Sequence, residues 1–195
     1  MLKGGRRLQM TVNSSRSTFQ IKVTLKGIRP PIWRRLLVPD SLKLPEFHRV
    51  LQYAMGWQNI HLHHFPVGSQ GYGIPDFVEP DDTLNERRYT IGDLLQAEKD
   101  TLLYEYDFGD GWQHQVVLEK ILPLDKTMEL PCCLQGRRAG PPEDAGGPRS
   151  YEEILAAIND PEHPEHEELR DRVGEEFDPE AFDAAAITQT LQARC

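Results

Sequence analysis

The chain has 195 residues, a formal net charge of −9, and 38% hydrophobic and 27% charged residues, a composition that is ordinary for a soluble globular protein. No apolar run approaches the roughly 20 residues that cross a bilayer, and the N-terminal stretch lacks the apolar core of a signal peptide, so we expect a cytoplasmic protein outside the membrane. Three cysteines, including the adjacent pair Cys132 and Cys133, exclude a disulfide framework.

Charge is unevenly distributed along the chain. Residues 1–38 contain nine Lys or Arg and no acid, whereas residues 141–195 contain 15 acids and four bases. We expect residues 1–17 to be a basic, disordered arm, followed by a single α+β domain over residues 18–192. Such an arm can contact nucleic acid through phosphates, but it is more commonly a solvated tail. The acidic C-terminal third can meet a basic macromolecular partner or simply be solvated.

Two strands and a helix are predicted first. Alternating apolar positions from Phe19 to Leu25 predict a half-buried strand, and residues 32–38 predict a second strand paired with it. Pro45, apolar residues at helical spacing and Gly56 predict a helix near residues 45–56 that packs on the sheet. His48 and Gln52 lie one turn apart on its flank, which is typical of a solvated surface pair.

Histidines follow this helix. In an extended segment His61 and His63 share one face, where they can bind a metal ion together or pair with neighbouring carboxylates. Residues 68–85 then predict an irregular surface loop. Its four carboxylates lack the ordered spacing of a calcium-binding EF-hand loop; they are Asp76, Glu79, Asp81 and Asp82.

The most informative stretch is residues 104–114, where two alternating runs flank Asp110-Gly111. This pair favours a two-residue type I′ turn and therefore a β-hairpin. The resulting register places Asp107 directly opposite His114 on one face. The pair can be metal ligands, an acid/base couple or a satisfied polar contact. A simpler alternative is a fold-defining turn in which Asp107 and Asp110 bond local backbone amides.

Beyond the hairpin we predict a long loop over residues 123–147, in which Glu143 and Asp144 can return to the hairpin mouth. Residues 150–192 predict three helices, the first capped at Ser150. The predicted fold class is therefore α+β, with a mainly antiparallel sheet packed by the helix near residues 45–56 and a helical C-terminal third.

Four separated motifs resemble the Ri-plasmid ORF-three-like family over roughly residues 18–192. They are residues 21–38; Met55-Gly56-Trp57 with His61 and His63; residues 106–110 with Trp112 and His114; and Pro141-Pro142-Glu143-Asp144 with Gly146-Gly147. The resemblance implies an α+β fold. Members occur on plasmids and insertion elements and are sometimes called resolvase-like, but the family has no established activity.

Two departures from the family bear on chemistry. The family often carries Cys where this chain has Gly140 and Ala145, so a four-thiolate zinc site together with Cys132 and Cys133 is excluded and a structural zinc is not expected. A serine recombinase needs an activated serine and a basic helical DNA-binding region. Here the C-terminal third is acidic, which argues against site-specific recombination.

Three functional hypotheses remain open. The first is an accessory or interaction protein with a macromolecular partner. The second is a metal-dependent hydrolase of phosphoesters: the expected metal ligands are His61, His63, Asp107 and His114, converging in one cleft, with Asp110, Glu143 or Asp144 as a base or second-metal ligand. The third is a small-ligand-binding protein whose cleft is lined by Trp57, Tyr104, Tyr106 and Trp112.

Overall fold

The computed structural model describes residues 17–75 and 83–195. Within these ranges the chain has a mixed α+β fold, with one eight-stranded, mostly antiparallel sheet and five α-helices. The strands are β1 (Ser17–Leu25), β2 (Trp33–Pro39), β3 (His63–Val67), β4 (Gln70–Gly73), β5 (Leu84–Asn85), β6 (Thr101–Tyr106), β7 (Trp112–Pro123) and β8 (Cys132–Arg137). The helices are α1 (Leu44–Met55), α2 (Ile91–Leu94), α3 (Gly147–Ile158), α4 (His166–Val173) and α5 (Ala184–Arg194).

The strands follow one another across the sheet in the order β5-β4-β3-β6-β7-β1-β2-β8, and β4 pairs with β5 in parallel. None of the helices in the described ranges has the length and apolar character needed to span a bilayer. Apart from Ser17, the basic arm lies outside the described residues. So do the four carboxylates of the predicted acidic loop, Asp76, Glu79, Asp81 and Asp82.

The two N-terminal strands confirm the prediction from the alternating sequence. The apolar positions of β1, such as Ile21 and Val23, are buried, and β1 pairs antiparallel with β2 so that Ile21 lies opposite Leu36. β7 pairs with the other edge of β1. β1 is therefore a central strand, and its buried face forms the middle of the hydrophobic core.

Helix α1 is also confirmed, and it covers this core. It buries Phe47, Val50 and Leu51, each contributing roughly 1.5–3 kcal/mol by leaving water, and ends where Gly56 takes a φ of +87°. The expectation that His48 and Gln52 form a surface pair is wrong, because both are buried. Their side chains bond the hydroxyl of a core tyrosine, which compensates for their burial.

The hairpin of β6 and β7 is present, but its predicted turn and register are wrong. Tyr106 pairs with Trp112 and Tyr104 pairs with His114, so residues 107–111 form a five-residue connection. Asp107 adopts a φ of +54°, and its carbonyl accepts a hydrogen bond from the Gly111 N–H at 2.6 Å. The chain therefore leaves the ladder at Asp107, and Asp107 does not lie opposite His114.

The predicted loop over residues 123–147 contains strand β8, which pairs antiparallel with β2. Its sequence lacks a clean alternation of apolar and polar residues, because Cys-Cys-Leu is followed by Gln-Gly-Arg. Helix α3 begins at Gly147 and not after a Ser150 cap, since Pro148 occupies its first turn. Non-helical segments at residues 159–165 and 174–183 separate α3, α4 and α5.

Candidate functional site

Three metal-ligating side chains meet at the mouth of the β6–β7 hairpin. They are His61, Asp107 and Asp144, and one ligand atom from each lies within 4.8 Å of the other two. The His61 Nε2 atom is 2.9 Å from Asp144 Oδ1 and 3.5 Å from Asp107 Oδ2. It is the one group of this kind in the part of the chain that the structure describes. We call it the hairpin-mouth site.

Asp107 is fixed by the loop that it begins. Its Oδ1 atom accepts hydrogen bonds from the backbone N–H groups of Gly109 at 3.0 Å and Asp110 at 3.3 Å. The backbone N–H of Asp107 donates to the Leu62 carbonyl, which ties the hairpin to the His61 segment. One carboxylate oxygen therefore holds the loop, as the turn-capping alternative predicts for Asp107, while Oδ2 remains directed at His61.

Asp144 is brought to the site by contacts between the 141–147 loop and the hairpin. The Gly146 N–H donates to Asp110 Oδ2 at 2.9 Å, and a side chain at Gly147 would collide with the Asp110 carbonyl. The guanidinium of Arg172 donates to the Asp144 carbonyl at 2.7 Å. The side chain of Asp144 is left in solvent, where it can reach His61.

Left-handed backbone conformations are concentrated around this site. Asn59, Asp107 and Asp144 have φ values of 57°, 54° and 56°. They are three of the five non-glycine residues with positive φ in the described ranges; the other two are Lys99 and Arg138. Asp and Asn tolerate this region better than most residues, but it still costs conformational energy, and such strain is often found at functional sites.

Tyr106 connects the segments beneath the site. Its hydroxyl accepts a hydrogen bond from the Ile60 N–H at 3.1 Å and donates to Glu143 at 3.1 Å. Glu143 also accepts from the Gln58 N–H at 2.7 Å. Burial and the nearby Glu143 carboxylate raise the pKa of Tyr106 above its usual value, so the hydroxyl stays protonated and can donate.

The four aromatic residues expected to line a cleft are instead packed in the core. Trp57 stacks on Tyr106 with ring centroids 4.9 Å apart, and Trp112 lies 6.0 Å from Trp57. All four, including Tyr104, have exposed fractions of 3% or less. They do not form the walls of an open cleft: of these four described residues, only Tyr106 makes a ring contact with a residue of the hairpin-mouth site, through the His61 ring at 5.8 Å, although Trp57 also borders a groove along α5.

His63 and His114 do not join His61 and Asp107. His63 pairs with Tyr106 across the sheet and His114 with Tyr104, so the two histidines lie on the same buried face. His63 Nε2 is 2.8 Å from Glu86 Oε2. Neither ring nitrogen of His114 has a hydrogen-bond partner among the described residues. The four expected metal ligands thus separate into His61 and Asp107 at the hairpin mouth, where His61 is half-buried and Asp107 is buried, and two histidines buried elsewhere under the sheet.

A closed ring of hydrogen bonds lies between α1 and the sheet. Gln52 Nε2 donates to the Tyr104 hydroxyl at 2.9 Å, the hydroxyl is 2.7 Å from His48 Nδ1, His48 Nε2 is 2.6 Å from Asn59 Oδ1, and the Asn59 N–H donates to Gln52 Oε1. Burial, followed by the neighbouring His63, lowers the pKa of His48 to about 3. His48 is therefore neutral, with its proton on Nε2.

The sequence contains few indications of this ring. His48 also stacks on His63, with ring centroids 3.5 Å apart and ring planes within 6° of parallel. In the sequence, however, the end of α1 and a loop separate these two residues. Helical spacing identified which flank of α1 carries His48 and Gln52, and their partners come from distant positions.

The remaining site candidates, Asp110 and Glu143, both support loops through their hydrogen bonds with the backbone N–H groups of Gly146 and Gln58.

Large apolar side chains are exposed on either side of the hairpin-mouth site. Ile60 and Leu62 flank His61 with exposed fractions of 57% and 37%, and Phe108 follows Asp107 with 48%. Apolar residues concentrated beside polar ones are typical of surfaces that contact another molecule. We call these three residues the apolar rim.

At Gly140, one of the positions where the family resemblance implies a cysteine, a Cβ atom would collide with the Met55 carbonyl. The backbone thus leaves no room for a cysteine there without a shift. Cys133 is buried on β8, which raises the pKa of its thiol to about 11. A buried thiol of this kind is a poor metal ligand, since the thiolate is the binding form.

Comparisons with known proteins agree with the family resemblance of the four sequence motifs. Residues 17–186 match the family described as "Plasmid pRiA4b ORF-3-like protein". The chain is 38% identical over 180 residues to the "Uncharacterized protein y4hQ" of Sinorhizobium fredii, covering 90% of this chain and 91% of that protein. It is similar to the crystal structure of MM3350, a protein of unknown function from Methanosarcina mazei Go1, with a TM-score of 0.80, 39% identity and coverage of 88% of this chain and 97% of the other. The chain therefore belongs to the plasmid pRiA4b ORF-3-like family.

Proposed function

We propose that the protein is a cytoplasmic, divalent-metal-binding hydrolase whose metal ion is held by His61, Asp107 and Asp144. The observation that carries this proposal is a single imidazole nitrogen facing two carboxylate oxygens, at 2.9 and 3.5 Å. One N–H can donate a good hydrogen bond to only one of them. A divalent cation would satisfy the nitrogen and both oxygens together.

The spacing of these atoms suits a shared ion. Two ligand atoms bound about 2.1 Å from one ion lie about 3.0–3.4 Å apart in octahedral or tetrahedral geometry. The two separations from His61 Nε2, 2.9 and 3.5 Å, bracket these values, and all three ligand atoms lie within 4.8 Å of one another, so binding would draw the carboxylates together around the ion. One imidazole with two carboxylates favours Mn²⁺, Fe²⁺ or Zn²⁺ over metals that prefer thiolates.

Three protein ligands leave coordination positions for water and substrate. A divalent ion lowers the pKa of bound water towards neutrality and polarises the oxygen of a scissile bond. With Asp144 as a ligand, Asp110 and Glu143 are the remaining base candidates. Asp110 and Glu143 keep the surroundings of the site acidic, so only the metal ion would attract an anionic phosphoester. A neutral ester therefore needs to be tested as a second substrate.

The test is metal content followed by hydrolysis. We expect about one equivalent of Mn²⁺ or Zn²⁺ by elemental analysis and calorimetry, and metal-dependent cleavage of bis-(p-nitrophenyl) phosphate or p-nitrophenyl acetate. His61→Ala and Asp144→Asn are expected to weaken metal binding at least about 10-fold. Glu152→Gln, which changes an exposed carboxylate on α3, is the control. Binding equal in all four proteins would refute the site, and binding without cleavage would refute the hydrolase.

A second candidate is an accessory protein that binds a macromolecular partner through the apolar rim. It is supported by the exposure of Ile60, Leu62 and Phe108 around one point of the surface. We expect the immobilised wild-type protein to retain a partner from solution. The immobilised double variant Ile60→Ser/Phe108→Ser should no longer retain it. Ile121→Ser/Met128→Ser changes exposed apolar residues elsewhere, with exposed fractions of 38% and 44%, and is the matched control. Equal retention by both variants would count against this candidate.

A further inference from the structure

We propose that a groove between the end of α1 and the start of α5 binds a small organic monoanion with an apolar body, such as a medium-chain carboxylate, and that Arg34 anchors its charge. The groove has a volume of about 540 Å³. Sites for small organic ligands usually measure about 300–1,000 Å³. We call it the Arg34 groove; its lining includes none of the ligands of the hairpin-mouth site.

The walls of the groove are mainly apolar. They come from the end of α1, the loop after β8, the segment between α4 and α5, and α5 itself. The apolar lining includes Met55, Pro141, Val173, Phe177, Phe182 and Ile187. Such walls favour a hydrocarbon or aromatic body, which gains roughly 25 cal/mol for each Å² of apolar surface removed from water.

Arg34 is the cation among these walls. Its exposed fraction is 2%, and its guanidinium lies 5.2 Å from the centre of the Phe182 ring. Nε donates to the Ala54 carbonyl at 2.8 Å, and Nη1 donates to the carbonyls of Trp33 and Arg137 at 2.9 and 3.0 Å. Within the described ranges, Nη2 has no hydrogen-bond acceptor and no carboxylate forms an ion pair with Arg34.

The bonds to Nε and Nη1 have a structural explanation. The Ala54 carbonyl lies in the last turn of α1, where a cation stabilises the helix dipole. This role uses three of the five N–H donors of Arg34 and leaves the two on Nη2. A buried guanidinium that keeps two donors beside an open apolar groove suits a carboxylate, because desolvated charges in proteins are usually paired.

The charge of Arg34 persists at neutral pH. Burial lowers the pKa of its guanidinium to about 10, partly offset by nearby Cys133, so it remains protonated. Asp183 borders the same groove, where its carboxylate caps α5 by accepting from the N–H groups of Ala185 and Ala186. One cation beside one carboxylate favours a monoanion over a doubly charged phosphate.

The test compares decanoate with decanol, which share a chain and differ in charge. We expect calorimetry on the full-length protein to show decanoate bound at least about 10-fold more tightly than decanol, and Arg34→Met to abolish this difference. Equal affinity for the two compounds in the wild-type protein would overturn the proposal. Asp144→Asn should bind decanoate normally, which separates this site from the proposed metal function.

A pair of variants on α5 keeps the test valid if Arg34→Met does not fold. Ala186→Phe fills the groove from an exposed position, so we expect it to reduce decanoate affinity at least about 10-fold. Ala185→Phe adds the same ring at the neighbouring exposed residue, which does not border the groove, and should bind like the wild-type protein. Equal binding by these two variants would place the ligand elsewhere and refute the assignment.

Discussion

Two histidines in this protein are held neutral by the core. Burial lowers the pKa of His114 to about 3, and burial with the neighbouring His63 lowers the pKa of His48 to about 3. His48 is compensated by hydrogen bonds to Tyr104 and Asn59. His114 has ring contacts with Trp57 and Tyr104 but no hydrogen-bond partner for either nitrogen among the described residues. His114 therefore behaves as a buried aromatic ring.

We predict that His114 destabilises the protein as the pH falls. An unfolded histidine takes up a proton near pH 6.5, whereas folded His114 does so only near pH 3. Between these values the unfolded state binds more protons, so the free energy of unfolding decreases with decreasing pH. The loss attributable to His114 should be about 2 kcal/mol between pH 7 and pH 5.

Urea unfolding of the wild-type protein and His114→Phe at both pH values measures this effect. Phenylalanine keeps a ring in the same space, so His114→Phe should lose about 2 kcal/mol less than the wild type on acidification. His163→Phe, at a half-buried position in the segment between α3 and α4, is the control and should retain most of the wild-type dependence. An unchanged pH dependence in His114→Phe would contradict this prediction, because it would mean that folded His114 takes up its proton over the same pH range as the unfolded chain.

At the scale of elements, the hairpin shows what local sequence can determine. The alternating runs correctly predict β6 and β7, because one face of each strand is buried. Asp110-Gly111 suggests a two-residue turn, yet the side chain of Asp107 bonds two backbone amides and starts the connection earlier. Competing turn chemistry of this kind shifts the register and moves Asp107 from His114 to His61.

Helix α1 shows where local sequence is insufficient. Its apolar spacing, Pro45 and Gly56 predict its bounds closely. The same spacing treats His48 and Gln52 as surface residues, because their shared partner Tyr104 is more than 50 positions away. Strand β8 is missed for a related reason: its pairing with β2, not its own pattern, makes it a strand.

The hairpin-mouth site combines three segments that are far apart in the sequence. His61 and Asp107 are candidates on residue type alone, but Asp144 becomes their partner through the packing of the 141–147 loop on Asp110. A predicted return of this loop to the hairpin indicates the region without selecting the ligand. Sequence therefore predicts the neighbourhood of the site, and the tertiary contacts decide its members.

At the scale of the whole molecule, the C-terminal helices are attached to the sheet by several separate contacts. The guanidinium of Arg138, beside β8, donates to Glu180 at 2.6 Å, and the Ala139 N–H donates to the Pro179 carbonyl. Leu191 of α5 is fully buried in the main core. We therefore propose that residues 18–192 unfold as one cooperative unit, with the C-terminal helices as a subregion of it.

Thr188 provides the test of this cooperativity. Its hydroxyl accepts a hydrogen bond from the Cys133 N–H at 2.9 Å and donates to the Ala184 carbonyl at 2.8 Å, which fixes α5 on β8. Thr188→Val leaves the Cys133 N–H unpaired and should cost about 1–3 kcal/mol. Thr190→Val removes a hydroxyl that bonds only within α5, at Ala186, and should change stability by less than about 0.5 kcal/mol.

Circular dichroism and tryptophan fluorescence during urea unfolding distinguish the two outcomes. Trp57 and Trp112 lie in the main core, whereas circular dichroism also reports on α3, α4 and α5. In one cooperative unit, Thr188→Val shifts both transitions together to lower urea, because the core cannot persist without the docked helix. An early loss of helical signal at unchanged fluorescence would instead mean that α5 detaches independently, and would contradict the single unit.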